Sequence, residues 1–291
     1  SWSSIYQFSV AMHEEDSSLY GYMKSLNDTY FSSGFLFSYG AYVFGDNNTD
    51  PSDIGLASGE AYKGVNVLLQ LASAMNEECI DSTITSNIYS KMAEDSYFAS
   101  ISTPDVYTTF YKELVLAYEE EGMSEEEAQA AADENLVMTT LPQLPESGDL
   151  TEENPTLIDC KAMGGINGYA ISAYTSAPNA CLAFIEFATS YEQIVTRNEY
   201  LGIAPAREDA AQAVGGITET LYENLENGNI VLMPSITEVA QIWTPCETFF
   251  TDLAKDAFRG DSEKKYTTEE AMQEGLEDVC QEIYDAIYTL Q

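Results

Sequence analysis

The 291 residues contain 49 acidic and 11 basic side chains, which gives a formal net charge of −38. A surface of that sign repels phosphate backbones and anionic lipid headgroups, so we exclude nucleic acids and anionic membrane surfaces as partners. Hydrophobic residues make up 45% of the chain, as in globular proteins. No run approaches the ~20 apolar residues that span a bilayer, so we expect no membrane insertion of this segment.

Near the amino terminus, the residues predict a short helix around Trp2–Met12 and then an aromatic-rich stretch from Tyr30 to Phe44. Residues 46–51 form a turn by composition, and their acidic and amide side chains imitate the start of a calcium loop. However, Pro51 stands where that loop needs glycine, and Ala57 where it needs a bidentate glutamate. We therefore predict a polar turn and no metal site.

Several segments carry helix signals. Residues from Ser58 begin a helix with apolar side chains at helical spacing, and Ser124-x-x-Glu127 matches a capping box. Thr267-x-x-Glu270 matches another, ahead of the final helix. The apolar positions of that final helix repeat every three or four residues and predict a core face: Met272, Leu276, Val279, Ile283 and Ile287.

Strand signals alternate with these helices. Tyr97–Ile101 predicts a strand that ends before Pro104, and Leu136–Leu141 is β-prone. Gly164–Ala173 reads as a glycine turn that enters a buried strand, followed by a helix over Ala180–Thr189. The alternation predicts an α/β fold. The glycines match neither G-x-G-x-x-G nor G-K-[ST], so nucleotide binding is not indicated.

The five cysteines are widely spaced, and none belongs to a C-x-x-C pair. This spacing excludes the usual zinc and thioredoxin-like patterns. We expect neither a metal nor a cofactor.

Residues 233–245 join a proline turn to a helix start and place one of only two tryptophans, Trp243, near that start. An indole offers a flat apolar face with one polar donor at its edge, which suits the C–H faces and hydroxyl rim of a sugar ring. A tryptophan in an apolar run also packs readily in a core. The residues alone leave both interpretations open.

Five blocks, read in order, resemble the maltose/maltodextrin-type solute-binding proteins of bacterial carbohydrate ABC transporters. The resemblance extends over essentially the whole chain. The blocks are the aromatic segment of Asn27–Phe31 with Gly40–Phe44, Gly164–Ala173 (GGINGYAISA), Asn179–Ser190 (NACLAFIEFATS), Gly202–Ala210 (GIAPAREDA) and Met233–Pro245 (MPSITEVAQIWTP).

The resemblance implies a periplasmic-binding-protein-like α/β fold with two lobes and a sugar held between them. Residues 1–168 would form the first part of lobe two, 169–218 a remaining segment of lobe one, and 219–291 the carboxy-terminal helices of lobe two. On this comparison, we expect that most of the amino-terminal lobe is missing from this chain.

The resemblance also implies the site. Trp243 matches the family's stacking tryptophan, which favours the sugar interpretation; Asp28 matches an acidic residue that accepts hydroxyl hydrogen bonds, and Tyr30 an adjacent aromatic contact. Two positions depart from the family. Asp105 stands where a second stacking tryptophan is common, and Glu247 where the maltodextrin type can have arginine. We expect these changes to alter which sugar fits.

The function implied is that of a non-enzymatic, extracellular solute-binding component. It would bind a maltodextrin-like oligosaccharide and deliver it to the permease subunits of an ABC importer. The expected location is the outer face of the cytoplasmic membrane, through a lipid anchor, or the periplasm. The alternatives are a glycoside hydrolase and a non-catalytic acidic surface protein, but no motif places two carboxylates across a glycosidic bond.

Overall fold

A computed structural model describes residues 1–80 and 82–289, which form a helix-rich α/β structure. The helices are α1 (Trp2–Glu15), α2 (Thr29–Ser38), α3 (Gly45–Asn48), α4 (Ala61–Ser73), α5 (Ile88–Ala93), α6 (Tyr107–Glu120), α7 (Glu125–Asn135), α8 (Pro178–Ala188), α9 (Tyr191–Leu201), α10 (Glu208–Val214), α11 (Gly216–Glu226), α12 (Trp243–Ala257) and α13 (Glu269–Thr289). Short 3-10 turns span Glu77–Ile80, Ser82–Ser86, Pro104–Val106 and Thr237–Gln241. The strands are β1 (Tyr20–Tyr22), β2 (Asp50–Ile54), β3 (Tyr97–Ala99), β4 (Leu144–Pro145), β5 (Leu157–Ile158), β6 (Ala162–Gly164) and β7 (Ile230–Leu232).

The chain forms two compact units. The first comprises Ser1–Ile101, Leu141–Gly164 and Asn229–Gln291, and the second comprises Ser102–Thr140 and Gly165–Gly228. The family resemblance placed residues 102–140 in the first part of lobe two. In the structure, these residues belong to the second compact unit. The assignment of segments to lobes stays a prediction.

Helix α4 lies at the centre of the first unit, where it packs against α2, α12 and α13. Its predicted apolar stripe is confirmed at Val65, Leu68 and Ala72, which are buried. Gly64 allows the close approach of α2, because a Cβ at this position would lie 2.6 Å from the carbonyl oxygen of Phe35. The close packing of α2 against α4 therefore requires a residue without a side chain at position 64.

Six of the described strands pair in short two-stranded sheets, whereas β2 makes isolated bridges to Phe44 and Gly45. Strand β1 runs parallel to β3, β6 runs parallel to β7, and β4 is antiparallel to β5. The strand predicted at 97–101 is confirmed over its first three residues. The β-prone segment 136–141 forms no strand within the described chain, although its residues have the expected composition.

The final helix confirms the strongest local prediction, because all five stripe residues are buried. Its cap lies one residue later than predicted, since the Ala271 backbone N–H donates to Thr268 Oγ1 at 3.2 Å. The capping box at α7 is confirmed, with reciprocal bonds between Ser124 and Glu127. Both helices start where a side chain satisfies an otherwise unpaired backbone donor.

The predicted buried strand at 164–173 is wrong. Strand β6 ends at Gly164, and residues 165–174 are exposed and lack regular secondary structure. The apolar run has the right composition, but a strand also requires a partner for its backbone groups.

A charged network anchors the turn between α12 and α13. Asp256 is 2% exposed and pairs with Arg259 at 2.6 Å. The same carboxylate accepts the backbone N–H groups of Lys265 and Tyr266 at 2.8 and 3.1 Å. The network supplies hydrogen-bond partners for a carboxylate that would be costly to bury alone.

None of the helices in the described ranges combines the length and apolar character needed to cross a bilayer.

We expect Gly64→Ala to destabilise the protein. The added methyl collides with the α2 backbone, and overpacking of this kind costs about 1–3 kcal/mol, against a gain in helix propensity of about 1 kcal/mol. Urea denaturation measures the net loss. Gly260→Ala is the control, because a Cβ there would meet no described atom within 4 Å. Equal stability of the two variants would contradict the proposed close packing.

We expect Asp256→Ala to lower the free energy of unfolding by about 3 kcal/mol, because it leaves Arg259 and two backbone donors without their partner. Chemical denaturation monitored by circular dichroism provides the measurement. The matched control, Asp261→Ala, removes a fully exposed carboxylate that pairs with Lys264 and should leave stability unchanged. A loss of the same size in both variants would show that burial of Asp256 is unimportant.

Candidate functional site

The start of α2 presents the carboxylate of Asp28. The backbone carbonyl of this residue accepts the N–H groups of Phe31 and Ser32 at 3.1 and 2.9 Å and so begins the helix. Its side chain makes no capping hydrogen bond. The half-buried carboxylate is therefore available to other donors.

Lys24 is the cationic neighbour of that carboxylate, with Nζ 3.5 Å from Asp28 Oδ2. The same ammonium lies 3.7 Å from the ring centroid of Phe31. Burial lowers the pKa of Lys24, although the charge of Asp28 and its hydrogen bond act in the opposite direction. Lys24 was not predicted as a site residue, because its only signal in the sequence is an opposite charge four residues away.

Tyr30 is half-buried and packs against the core of the first unit. Its ring meets that of Phe31 edge-on, with centroids 5.3 Å apart and an interplanar angle of 81°. Core packing therefore accounts for part of this ring. Its role as a sugar contact stays a prediction.

Trp243 is the first residue of α12 and is partly buried, whereas Trp2 is 1% exposed. The Trp243 ring packs against the core of the first unit, next to the buried Ile242. Core packing therefore accounts for part of this side chain, and the role of Trp243 as a sugar platform stays a prediction.

A polar contact links the two helix starts. Helix α2 packs against α12, and Asn27 Nδ2 donates to Glu247 Oε1 at 3.5 Å. Asn27 is itself held by a 2.6 Å bond from Ser25 Oγ. The exposed Glu247 stands one helical turn after Trp243. We call Asp28, Tyr30, Trp243 and Glu247 the α2–α12 surface; sequence reasoning missed Asn27, whose partner is 220 positions away.

Asp105 belongs to the second unit, where it is exposed in the 3-10 turn Pro104–Val106. The neighbouring Tyr107 is half-buried. Its hydroxyl donates to the Leu136 carbonyl at 3.3 Å, and its ring stacks on Tyr111 with centroids 6.4 Å apart. Tyr107 thus contributes to packing within its own unit. The sugar-binding role of Asp105 stays a prediction.

An open groove of about 680 Å³ lies between α12 and α13. Glu247 lines it together with Asp252, Lys255 and Lys265, whereas the other three residues of the α2–α12 surface do not. The groove was not predicted from the sequence, because its shape depends on how α12 and α13 pack against each other. Over residues 1–80 and 82–289, groove included, the structure contains no grouping of three His, Cys, Asp or Glu side chains that could hold a metal ion.

No family model matches the chain. The maltodextrin-binding protein MdxE of Bacillus subtilis (strain 168) is 25% identical over 239 residues, which cover 80% of this chain and 50% of MdxE. A maltooligosaccharide ABC transporter solute-binding lipoprotein of Streptococcus pneumoniae is 22% identical over 260 residues, which cover 89% of this chain and 54% of its own length. The resemblance inferred from the sequence is confirmed.

Solved structures agree on the fold. The maltose-binding periplasmic protein MalE of Listeria monocytogenes, in complex with maltose, matches with a TM-score of 0.63 and 19% identity over 95% of this chain and 62% of its own. MalX of Streptococcus pneumoniae, in complex with maltopentaose, matches with a TM-score of 0.65 and 19% identity over 91% of this chain and 61% of its own.

The chain has the fold of maltose-type solute-binding proteins. The predicted fold class is therefore confirmed. The chain spans about half the length of the curated relatives it matches.

We expect Asp28→Asn to lower the pKa of Lys24 further, because the substitution removes the nearby negative charge that opposes the effect of burial. Nuclear magnetic resonance titration of the labelled lysine ammonium measures the change. Asp50→Asn, in the exposed first residue of β2, is the control and should leave Lys24 unaffected. An unchanged Lys24 pKa in Asp28→Asn would contradict the ion pair.

Proposed function

We propose that this chain is part of the solute-binding component of a carbohydrate ABC importer and that the α2–α12 surface contributes to its oligosaccharide site. The complete protein would act outside the cytoplasmic membrane, lipid-anchored or in the periplasm, and deliver sugar to the permease subunits. The similarity to maltodextrin- and maltooligosaccharide-binding proteins carries this proposal.

The geometry of the α2–α12 surface supports the proposal. Trp243 is partly buried and packs against the core of the first unit. The Asp28 carboxylate is not consumed by capping its helix, so it can accept sugar hydroxyls. Glu247 adds an exposed acceptor on the same helix as the ring. An aromatic face with a few fixed polar groups is the usual composition of a small-molecule site.

The mechanism we propose is closure of two lobes around the sugar, a hinge motion typical of periplasmic binding proteins. Burial strengthens the polar contacts to the sugar, because a hydroxyl left without a partner in a closed site costs about 1–3 kcal/mol. The permease would then recognise the closed form.

Two residues bear on the choice of sugar. Asp105 offers a carboxylate where a stacking tryptophan is common in the family, and Glu247 reverses the charge of an arginine. Both changes add hydrogen-bond acceptors. We therefore propose a maltodextrin-like oligosaccharide whose hydroxyl groups donate to these carboxylates. These hydrogen bonds would replace the stacking contact of the missing tryptophan at position 105.

We also propose that the protein is not an enzyme. A glycoside hydrolase would release reducing ends from maltooligosaccharides, whereas a binding protein leaves them intact. A non-catalytic acidic surface protein would show no rise in stability with sugar concentration, whereas a binding protein gains stability with its ligand. Reducing-end assays and thermal denaturation separate these alternatives.

Tryptophan fluorescence provides the direct test, because the chain has two tryptophans in different environments. We expect maltotetraose to change the emission of the protein, and Trp243→Phe to abolish that change, since the remaining Trp2 is buried.

Trp243→Ala should weaken binding at least about tenfold, equivalent to about 1.4 kcal/mol, by calorimetry. Because the chain spans about half of its relatives, we expect its own Kd for maltotetraose to be on the order of 1 mM or weaker.

The controls are Trp2→Phe, which should preserve the sugar-dependent emission change, and the polypeptide encoded by the complete reading frame, which should bind more tightly. An emission change that survives Trp243→Phe would remove Trp243 from the site. Absence of saturable binding to any maltooligosaccharide by the complete polypeptide would contradict the proposed function.

A further inference from the structure

Lys24 lies in the segment between β1 and α2 and is largely buried. Only 13% of its side chain is exposed, and the preceding residue, Met23, is 1% exposed. The backbone on both sides is held in place. The Met23 N–H donates to the Ala99 carbonyl at 3.1 Å, and the Leu26 N–H donates to the Cys79 carbonyl at the same distance. Lysine is among the residues least often buried, so this side chain requires an explanation.

The ammonium group of Lys24 contacts two parts of α2. Its Nζ lies 3.5 Å from Oδ2 of Asp28 and 3.7 Å from the ring centroid of Phe31. The Phe31 ring in turn meets the Tyr30 ring edge-on, with centroids 5.3 Å apart. A cation attracts both a carboxylate and an aromatic face. One side chain from outside α2 therefore contacts the Asp28 acceptor directly and reaches Tyr30 through Phe31.

This position is unfavourable for a positive charge. Burial is the largest influence on the pKa of Lys24 and lowers it, although Asp28 acts in the opposite direction. A lysine whose pKa is lower in the folded chain than in the unfolded chain binds its proton less tightly after folding. At neutral pH, the charge of Lys24 therefore lowers the stability of the fold.

Lys63 in α4 provides a comparison within the same unit. Its side chain is 18% exposed, and its Nζ lies 2.8 Å from Glu60 Oε2. Here the hydrogen bond to Glu60 is the largest influence and raises the pKa of Lys63. The Lys63 pair thus favours the charged form, whereas the longer contact between Lys24 and Asp28 does not compensate for burial. Groups that are kept at a cost to stability are typical of functional sites.

We propose that Lys24 is a positioning residue of the oligosaccharide site on the α2–α12 surface. Its ammonium holds Asp28 through Oδ2, so that Oδ1 keeps a fixed direction for a sugar hydroxyl. Its contact with Phe31 fixes the ring against which Tyr30 packs. The inference rests on the proposed function, because it names how the acceptor of the same site is held. A fixed acceptor loses less conformational freedom when the sugar binds.

The substitution Lys24→Met tests the proposal, because methionine keeps most of the length of the side chain and removes its charge. We expect the Kd of the polypeptide encoded by the complete reading frame for maltotetraose, measured by calorimetry, to rise at least about tenfold. In an Asp28→Asn background, the same substitution should change the Kd by less than about twofold, since the group that Lys24 positions is already lost.

A second measurement separates positioning from a structural role. Without sugar, Lys24→Met should keep or raise the melting temperature, because a buried charge is replaced by an apolar group. A structural ion pair predicts the opposite sign. Lys63→Met is the matched control, since it removes a lysine of similar exposure that also pairs with a carboxylate, and it should leave the Kd unchanged.

Three outcomes would overturn the inference: an unchanged Kd in Lys24→Met, an equal loss of affinity in the Asp28→Asn background, or a fall in the melting temperature of Lys24→Met. Failure of the proposed function is distinguishable from these. Absence of saturable binding by the unsubstituted complete polypeptide would overturn both the proposed function and this inference, whereas equal affinities of the unsubstituted and Lys24→Met polypeptides would overturn this inference alone.

Discussion

The packing of α4 against its neighbours is the constraint on which the rest of the first unit depends. Helices α2 and α12, which carry the residues of the α2–α12 surface, both pack against α4. Gly64 permits the close approach of α2, and burial of the α4 stripe supplies the non-directional hydrophobic driving force. The positions of Asp28 and Trp243 therefore depend on the packing of α2 and α12 against α4.

The α2–α12 surface places polar groups at helix starts on this rigid core. The Asp28 carboxylate lies at the amino terminus of α2, and Lys24 Nζ is 3.5 Å from its Oδ2. Asn27 connects this helix start to Glu247. A site of this kind can keep acceptors oriented without a ligand, which reduces the ordering cost of binding.

The two units differ in how completely they bury their apolar residues. In the first unit, one continuous cluster includes side chains from α2, α4, α12 and α13. In the second, large aromatic and aliphatic side chains remain exposed along residues 166–203.

Much of the local structure could be predicted from the sequence alone. Periodicity and capping depend on residues a few positions apart, so the core face of α13, the stripe of α4 and the capping box of α7 were all predictable. The ordered blocks were also sufficient to indicate the family resemblance and the α/β fold. In contrast, a strand depends on a distant partner, and the prediction for 164–173 was wrong because composition cannot show whether that partner exists.

Only the tertiary structure decided how the candidate site residues are arranged. It showed that part of Trp243 packs in the core, that Asn27 meets Glu247, and that Asp105 belongs to a different compact unit. The physical reason is the distance along the chain over which each signal acts. Hydrophobic periodicity acts within one element, whereas burial and side-chain pairing depend on which elements the folded chain brings together.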